Sequence, residues 1–126
     1  MRSAMYCVNV PPIAWKRAAR NGNRMYDDQA RDKVNFGLYL HAQHGENPLF
    51  SKPIKVEIKF YMPIPKTVKQ RRNYHACAPD LDNLIKFVND TMKEIVITDD
   101  RIICSLFAEK VYDKNPRTEL IITEVE

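Results

Sequence analysis

Only three of the 126 residues are glycine, and no GxGxxG, GxxxxGK[ST] or GxSxG pattern occurs. A glycine-rich loop cradling phosphate is thereby excluded. Cysteine is equally sparse: Cys7, Cys77 and Cys104 are odd in number, far apart and free of any CxxC spacing. That leaves no disulfide framework and no zinc knuckle, and predicts reduced thiols. No apolar run approaches the roughly 20 residues of a membrane span, and residues 1–10 lack a signal peptide's apolar stretch, so no membrane partner and an intracellular setting are expected. Acid is missing from two whole windows. Residues 1–26 carry Arg2, Lys16, Arg17, Arg20 and Arg24, and residues 58–79 carry Lys59, Lys66, Lys69, Arg71 and Arg72, without one carboxylate.

What is present is an ordinary globular composition, 44% hydrophobic with a net charge of +4. The length suits a single domain, 1–126, able to bury a core without disulfides or structural metal. The charge is segregated: the two windows hold ten bases in 48 residues, leaving ten bases against sixteen acids elsewhere. Such a distribution fits a polyanion ligand, with phosphate contacts supplying salt-sensitive affinity. Solvated basic loops would read the same way.

Periodicity predicts the elements. Residues 5–10 form a short β-prone run ended by Pro11-Pro12, and a polar, basic loop follows to Tyr26. Asp27 and Asp28 offer N-terminal acids to a helix reaching about Gln43, with Ala30, Val34, Leu38 and His41 in line. Ile54, Val56, Ile58, Phe60 and Met62 alternate with polar residues as a strand with one buried face. Residues 64–79 are basic, proline-flanked and aperiodic, long enough for a loop to suggest function. Leu81, Leu84, Ile85, Val88 and Met92 mark a helix from about Asp82 to Glu94. Two β-rich runs, 102–112 and 118–125, flank a turn-forming Asp113-Lys114-Asn115-Pro116-Arg117, predicting a hairpin. The order β, α, β, α, β, β implies an α+β fold, a small mixed sheet of about four strands covered by two helices.

The chemistry concentrates in Pro79-Asp80-Leu81-Asp82-Asn83-Leu84-Ile85-Lys86. Fully helical residues two apart point about 200° from each other, so Asp80 and Asp82 converge only if Asp80 stays in the extended entry to the helix. Carboxylates so placed suit Mg²⁺ or Mn²⁺, and a helix N-terminus favours a phosphate beside them. An acid as an N-cap, with Lys86 its partner one turn on, accounts for the same spacing. Asp99-Asp100, just before the later β-run, brings a third acid, Asp100, that completes a cage suited to metal-assisted phosphodiester hydrolysis, or else is a plain turn. His41 and His44 lack further zinc ligands and are expected on an exposed polar face, and no zinc site is read at His75 and Cys77. Tyr6, Trp15, Tyr26 and Tyr74 border the basic windows and are candidates for stacking on bases, with Trp15 equally suited to the core.

These residues resemble the RusA-type Holliday junction resolvases of bacteria and phages. The likeness runs in order through the 79–86 segment, Asp99-Asp100, Tyr112 and Asn115-Pro116-Arg117, with Val10-Pro11-Pro12 as a counterpart of the family's opening strand. The resemblance implies a RusA-like, homodimeric, Mg²⁺-dependent endodeoxyribonuclease, cytoplasmic and bacterial or phage-encoded, that nicks paired strands of four-way junction DNA. It assigns Asp80, Asp82 and Asp100 as metal-binding catalytic acids and Lys86 as the functional lysine. The DNA-binding surface is then expected at Lys16, Arg17, Arg20, Arg24, Lys66, Lys69, Arg71 and Arg72. Two other readings remain: a non-catalytic junction- or DNA-binding module of the same fold, and an RNA or flap nuclease. Two departures stand out. Ala78-Pro79 precedes Asp80 where relatives often have a basic residue, and residues 93–97 replace a small-residue turn before the acid pair.

Overall fold

The strongest alternation in the chain becomes the centre of the sheet. A computed structural model describes the backbone of residues 1–17, 19–22, 24–26, 29–66 and 73–126, and the side chains of 1–17, 22, 29–66 and 73–126. The elements are β1 (Ser3–Val8), β2 (Ala19–Asn21), β3 (Arg24–Tyr26), α1 (Ala30–His44), β4 (Ile54–Met62), α2 (Leu81–Met92), β5 (Ile103–Tyr112) and β6 (Arg117–Glu124), with a 3₁₀ turn at Asp100–Ile102. The expected α+β architecture holds: a mixed four-stranded sheet in the order β1-β6-β4-β5, with two helices. Ile54, Val56, Ile58, Phe60 and Met62 are buried on one face of β4 and meet Tyr6, Val8, Leu120 and Ile122 from β1 and β6. Helix α1 packs on β1 and α2, and α2 packs on β5.

Three expectations are corrected. The predicted hairpin does not form, because β4 lies between β5 and β6, parallel to the first and antiparallel to the second. Helix α2 is the crossover that lets β4 and β5 run parallel, and the 113–116 turn passes over the end of β4, where the Asp113 N–H donates to Met62 O. The turn itself is as its residues suggest. The Asn115 N–H donates to the Asp113 carboxylate, and the Arg117 guanidinium donates to Asp113 and Asn115 O while lying 3.7 Å above the Tyr61 ring. Second, the basic loop before Tyr26 contains the ribbon β2–β3, paired antiparallel.

Third, α1 is present but presents a different face. Val34 and Leu38 are 63% and 61% exposed, while Phe36, Gly37, Leu40 and His44 are buried. Gly37 lies on this inward face: a Cβ there would lie 2.8 Å from Ile95 Cδ1, so a larger residue would have to push the end of that side chain aside. His44 is therefore no exposed polar residue. It is buried with Nδ1 hydrogen-bonded to Tyr6 Oη at 2.7 Å, which also removes Tyr6 from any surface for stacking bases. The helix starts after Gln29, and Asp27 and Asp28 lie outside the described residues.

Candidate active site

Asp80 occupies the N-cap of α2 with extended backbone (φ −70°, ψ 144°), and its carboxylate makes no capping hydrogen bond. The backbone carbonyl of Asp80 accepts from the Leu84 N–H at 3.2 Å and starts the helix, so the side chain is not needed to do so. Asp82 stands in the first turn. Both acids are exposed, and among the described residues no ion pair engages either one. The extended entry is the condition under which carboxylates two residues apart leave the helix end together. The helix N-terminus adds a partial positive charge that favours anions, including a substrate phosphate.

Lys86 lies one turn beyond Asp82, but its ion-pair partner is Asp90, at 4.0 Å. Its ammonium also sits 4.9 Å from the centre of the Trp15 ring. Trp15 is half-buried, and its backbone N–H donates to Asn83 O at 2.9 Å, which fastens residues 10–17 to the first turn of α2. The buried Gln29 clamps the same segment: its amide donates to Ala14 O and accepts from the Lys16 N–H, each at 2.8 Å. Lys16 and Arg17, both exposed, are thereby held near the two acids.

Residues 73–79 form a strap along the outer edge of β5. The His75 N–H donates to Lys110 O, the Tyr112 N–H donates to Asn73 O, and Tyr74 bridges to Val111. The Lys110 ammonium donates to both Cys77 O and Pro79 O at 2.6 Å. Beneath the strap, His75 is buried with its ring 5.0 Å from that of Tyr112, and its Nε2 lies 3.4 Å from Cys77 Sγ. Burial, and then the Lys110 charge, push the His75 pKa below its ordinary 6.5.

Asp100 is elsewhere. It pairs with Lys93 at 3.4 Å, at the C-terminal end of α2, whereas Asp80 and Asp82 are at the N-terminal end of that 12-residue helix. Twelve helical residues span about 18 Å, so the chain does not bring Asp100 to the other two acids. Among the described residues no three His, Cys, Asp or Glu side chains cluster as a metal cage. Asp99 caps the 3₁₀ turn, its carboxylate accepting from the Arg101 N–H, and that bond leads the interactions holding its pKa below the usual value.

The basic residues divide in the same way. Arg2 is spent on the fold, donating to Pro48 O and lying 3.9 Å above the Phe50 ring, and Lys59 pairs with Glu109 at 3.4 Å. Lys66 is exposed. Arg20 and Arg24 lie on β2 and β3, but their side chains are outside the described residues, as are Lys69, Arg71 and Arg72 altogether. Gln29 and Lys110 escaped sequence reasoning. Both read as ordinary polar positions, and no local pattern marks a side chain whose partners are distant backbone groups.

Comparison with known proteins places the chain in a family. The family described as endodeoxyribonuclease RusA matches residues 9–123. The protein YqaN of Bacillus subtilis (strain 168), itself uncharacterised, is 29% identical over 90% of this chain and 91% of its own length. The crossover junction endodeoxyribonuclease rusA of Lactococcus phage r1t is 39% identical over 74 residues, 58% of this chain and 56% of the phage protein. With its matched span beginning just after β1, reaching into β6 and including the acids at both ends of α2, the chain belongs to the RusA endodeoxyribonuclease family.

Proposed function

We propose that the chain is a divalent-metal-dependent, structure-selective endonuclease that resolves four-way DNA junctions by paired nicks as a homodimer. The observation that carries the reading is the pair Asp80 and Asp82: two exposed carboxylates at a helix N-terminus, one extended and unused as a cap. A hard cation that keeps several waters suits such an all-oxygen, incomplete donor set, so Mg²⁺ or Mn²⁺ fits the residues present. Bound there, the metal would supply an activated water and neutralise charge on the scissile phosphate. The chain's own contribution is placement. Asp80 and Asp82 would hold the metal, the α2 N-terminus and Lys86 would stabilise charge developing on the phosphate, and Lys16 and Arg17 would hold the DNA backbone nearby.

Asp100 supports the dimer. A third ligand at the far end of α2 is useful only if a second copy brings it, and a two-fold axis setting the two α2 helices antiparallel would place Asp100 of each copy against the other's acidic pair. The outer edge of β5 is free of strand pairing over 103–109 among the described residues, and exposed Leu106 and Phe107 lie on it, midway between the two ends. Unpaired edge strands with exposed apolar side chains invite such pairing. A pair of sites matches the two-fold symmetry of a junction with two strands to cut.

The test is cleavage of a synthetic mobile four-way junction and of linear duplex, with and without Mg²⁺. Junction-selective, Mg²⁺-dependent nicking is expected. Asp80→Asn or Asp82→Asn should reduce the rate by about a thousandfold or more while junction binding in EDTA survives, because the lost charge holds metal and the basic segments hold DNA. Undiminished nicking by either variant contradicts the assignment. Binding without cleavage under all metals would make the chain a junction-binding module, and preference for RNA or flaps would make it a different nuclease.

A further inference from the structure

We propose that Lys110 is a positioning residue for the acidic pair, acting through the backbone that leads into Asp80. The inference rests on the metal-site reading above and adds a residue to it. Residues 73–75 of the strap are tied to β5 by backbone hydrogen bonds, but among the described residues the backbone of 77–79 has no hydrogen bond other than the two from Lys110 Nζ. Those bonds grip the carbonyls of Cys77 and Pro79, and Pro79 is the residue immediately before Asp80. The carbonyls of Cys77 and Pro79, which flank the Ala78-Pro79 bond, are therefore fixed by one ammonium group carried on the edge strand β5.

A charged side chain on β5 has Glu109 beside it in sequence, yet Lys110 directs its donors into two neutral carbonyls, and Glu109 pairs with Lys59 across the sheet. Lysine suits the task because its ammonium has three donors on a flexible stem and bonds several acceptors at once. Asp80 has no cap bond of its own, so nothing on its side chain sets its direction. Its placement rests on the backbone: its own carbonyl starts α2, and the peptide before it is the one Lys110 holds. Partners that orient a metal ligand in this indirect way are worth about 10–100-fold in metal affinity or activity.

The test compares the unaltered chain with Lys110→Met, which keeps the stem and loses the donors, and Lys110→Arg, which keeps donors and charge. Mn²⁺ binding is followed by EPR, independent of cleavage, and single-turnover junction cleavage is titrated with Mg²⁺. Lys110→Met should weaken Mn²⁺ binding and raise the Mg²⁺ concentration for half-maximal rate about tenfold or more, with junction affinity in EDTA changed less than about twofold. Lys110→Arg should recover most of the loss. If circular dichroism shows Lys110→Met unfolded, Lys110→Gln carries the same measurement. Wild-type Mn²⁺ affinity and Mg²⁺ dependence in the folded variant would overturn the role of Lys110 while leaving the metal site standing. An unaltered chain that binds no Mn²⁺ would overturn the metal reading and, with it, the role proposed here.

Discussion

At the scale of single residues, His75 shows how the strap beside the site responds to pH. Burial and the Lys110 charge lower its pKa from 6.5, so the folded chain keeps the imidazole neutral where the unfolded chain takes up a proton. The unfolded state then binds more protons below about pH 6.5. Stability from this group is complete above that value and is lost as pH falls from it toward the lowered folded pKa. Urea unfolding should give a midpoint that is flat from pH 8 to pH 7 and declines below pH 6.5, and His75→Phe should remove part of that decline. A His75→Phe variant whose curve parallels the unaltered protein would show that His75 does not carry it. The same scale shows what the sequence discloses and what it hides. Asp80 and Asp82 were legible because Pro79 and the apolar spacing of Leu81, Leu84, Ile85 and Val88 fix where the helix starts. Lys110 was not, because its partners are carbonyls 31 and 33 residues away, and such a contact leaves no periodic trace. Arg2 and Lys59 looked like surface charge for the same reason.

At the scale of elements, local periodicity succeeded where burial is one-sided and failed where a long-range partner decides. The β4 alternation appears as predicted, and in α2 Leu84, Val88 and Met92 are buried as expected, joined by Phe87 and Thr91 while Leu81 and Ile85 are only half-buried. In α1, Phe36, Leu40 and His44 compete with Val34 and Leu38 as the inward face, and packing on β1 and α2 settles the rotation from outside the helix. The β5–β6 pairing was misread because turn residues report only that the chain reverses, not which strand lies between the arms. Strand β4 takes both arms, since its two edges are free and its inward side chains complete the core. Gln29 belongs to this scale too, as the clamp that fixes segment 10–17 against α2. Gln29→Ala leaves Ala14 O and the Lys16 N–H without these partners, and should lower stability by about 1–3 kcal/mol in urea unfolding. An unchanged unfolding midpoint would mean that the segment does not depend on the clamp.

At the scale of the whole molecule, α2 separates the candidate site residues into two groups. One end gathers Asp80, Asp82, Trp15, Lys16, Arg17 and the Lys110-held strap; the other holds Asp100 on Lys93. That division could not be seen in a linear sequence, where Asp100 lies only 18 positions after Asp82 and a single cage looked natural. On the proposed reading, the third acid then serves a site shared between copies. Mixed dimers of an Asp82→Asn chain and an Asp100→Asn chain test this directly, with junction nicking read in Mg²⁺ against each variant alone. If the site is shared between copies, each hybrid contains one intact set of acids, Asp80 and Asp82 from one chain and Asp100 from the other. Equal mixing makes about half the dimers hybrid, so nicking should rise from near zero to about a quarter of the wild-type rate. A mixture no more active than either variant by itself, while wild type treated identically cuts, would contradict the shared site.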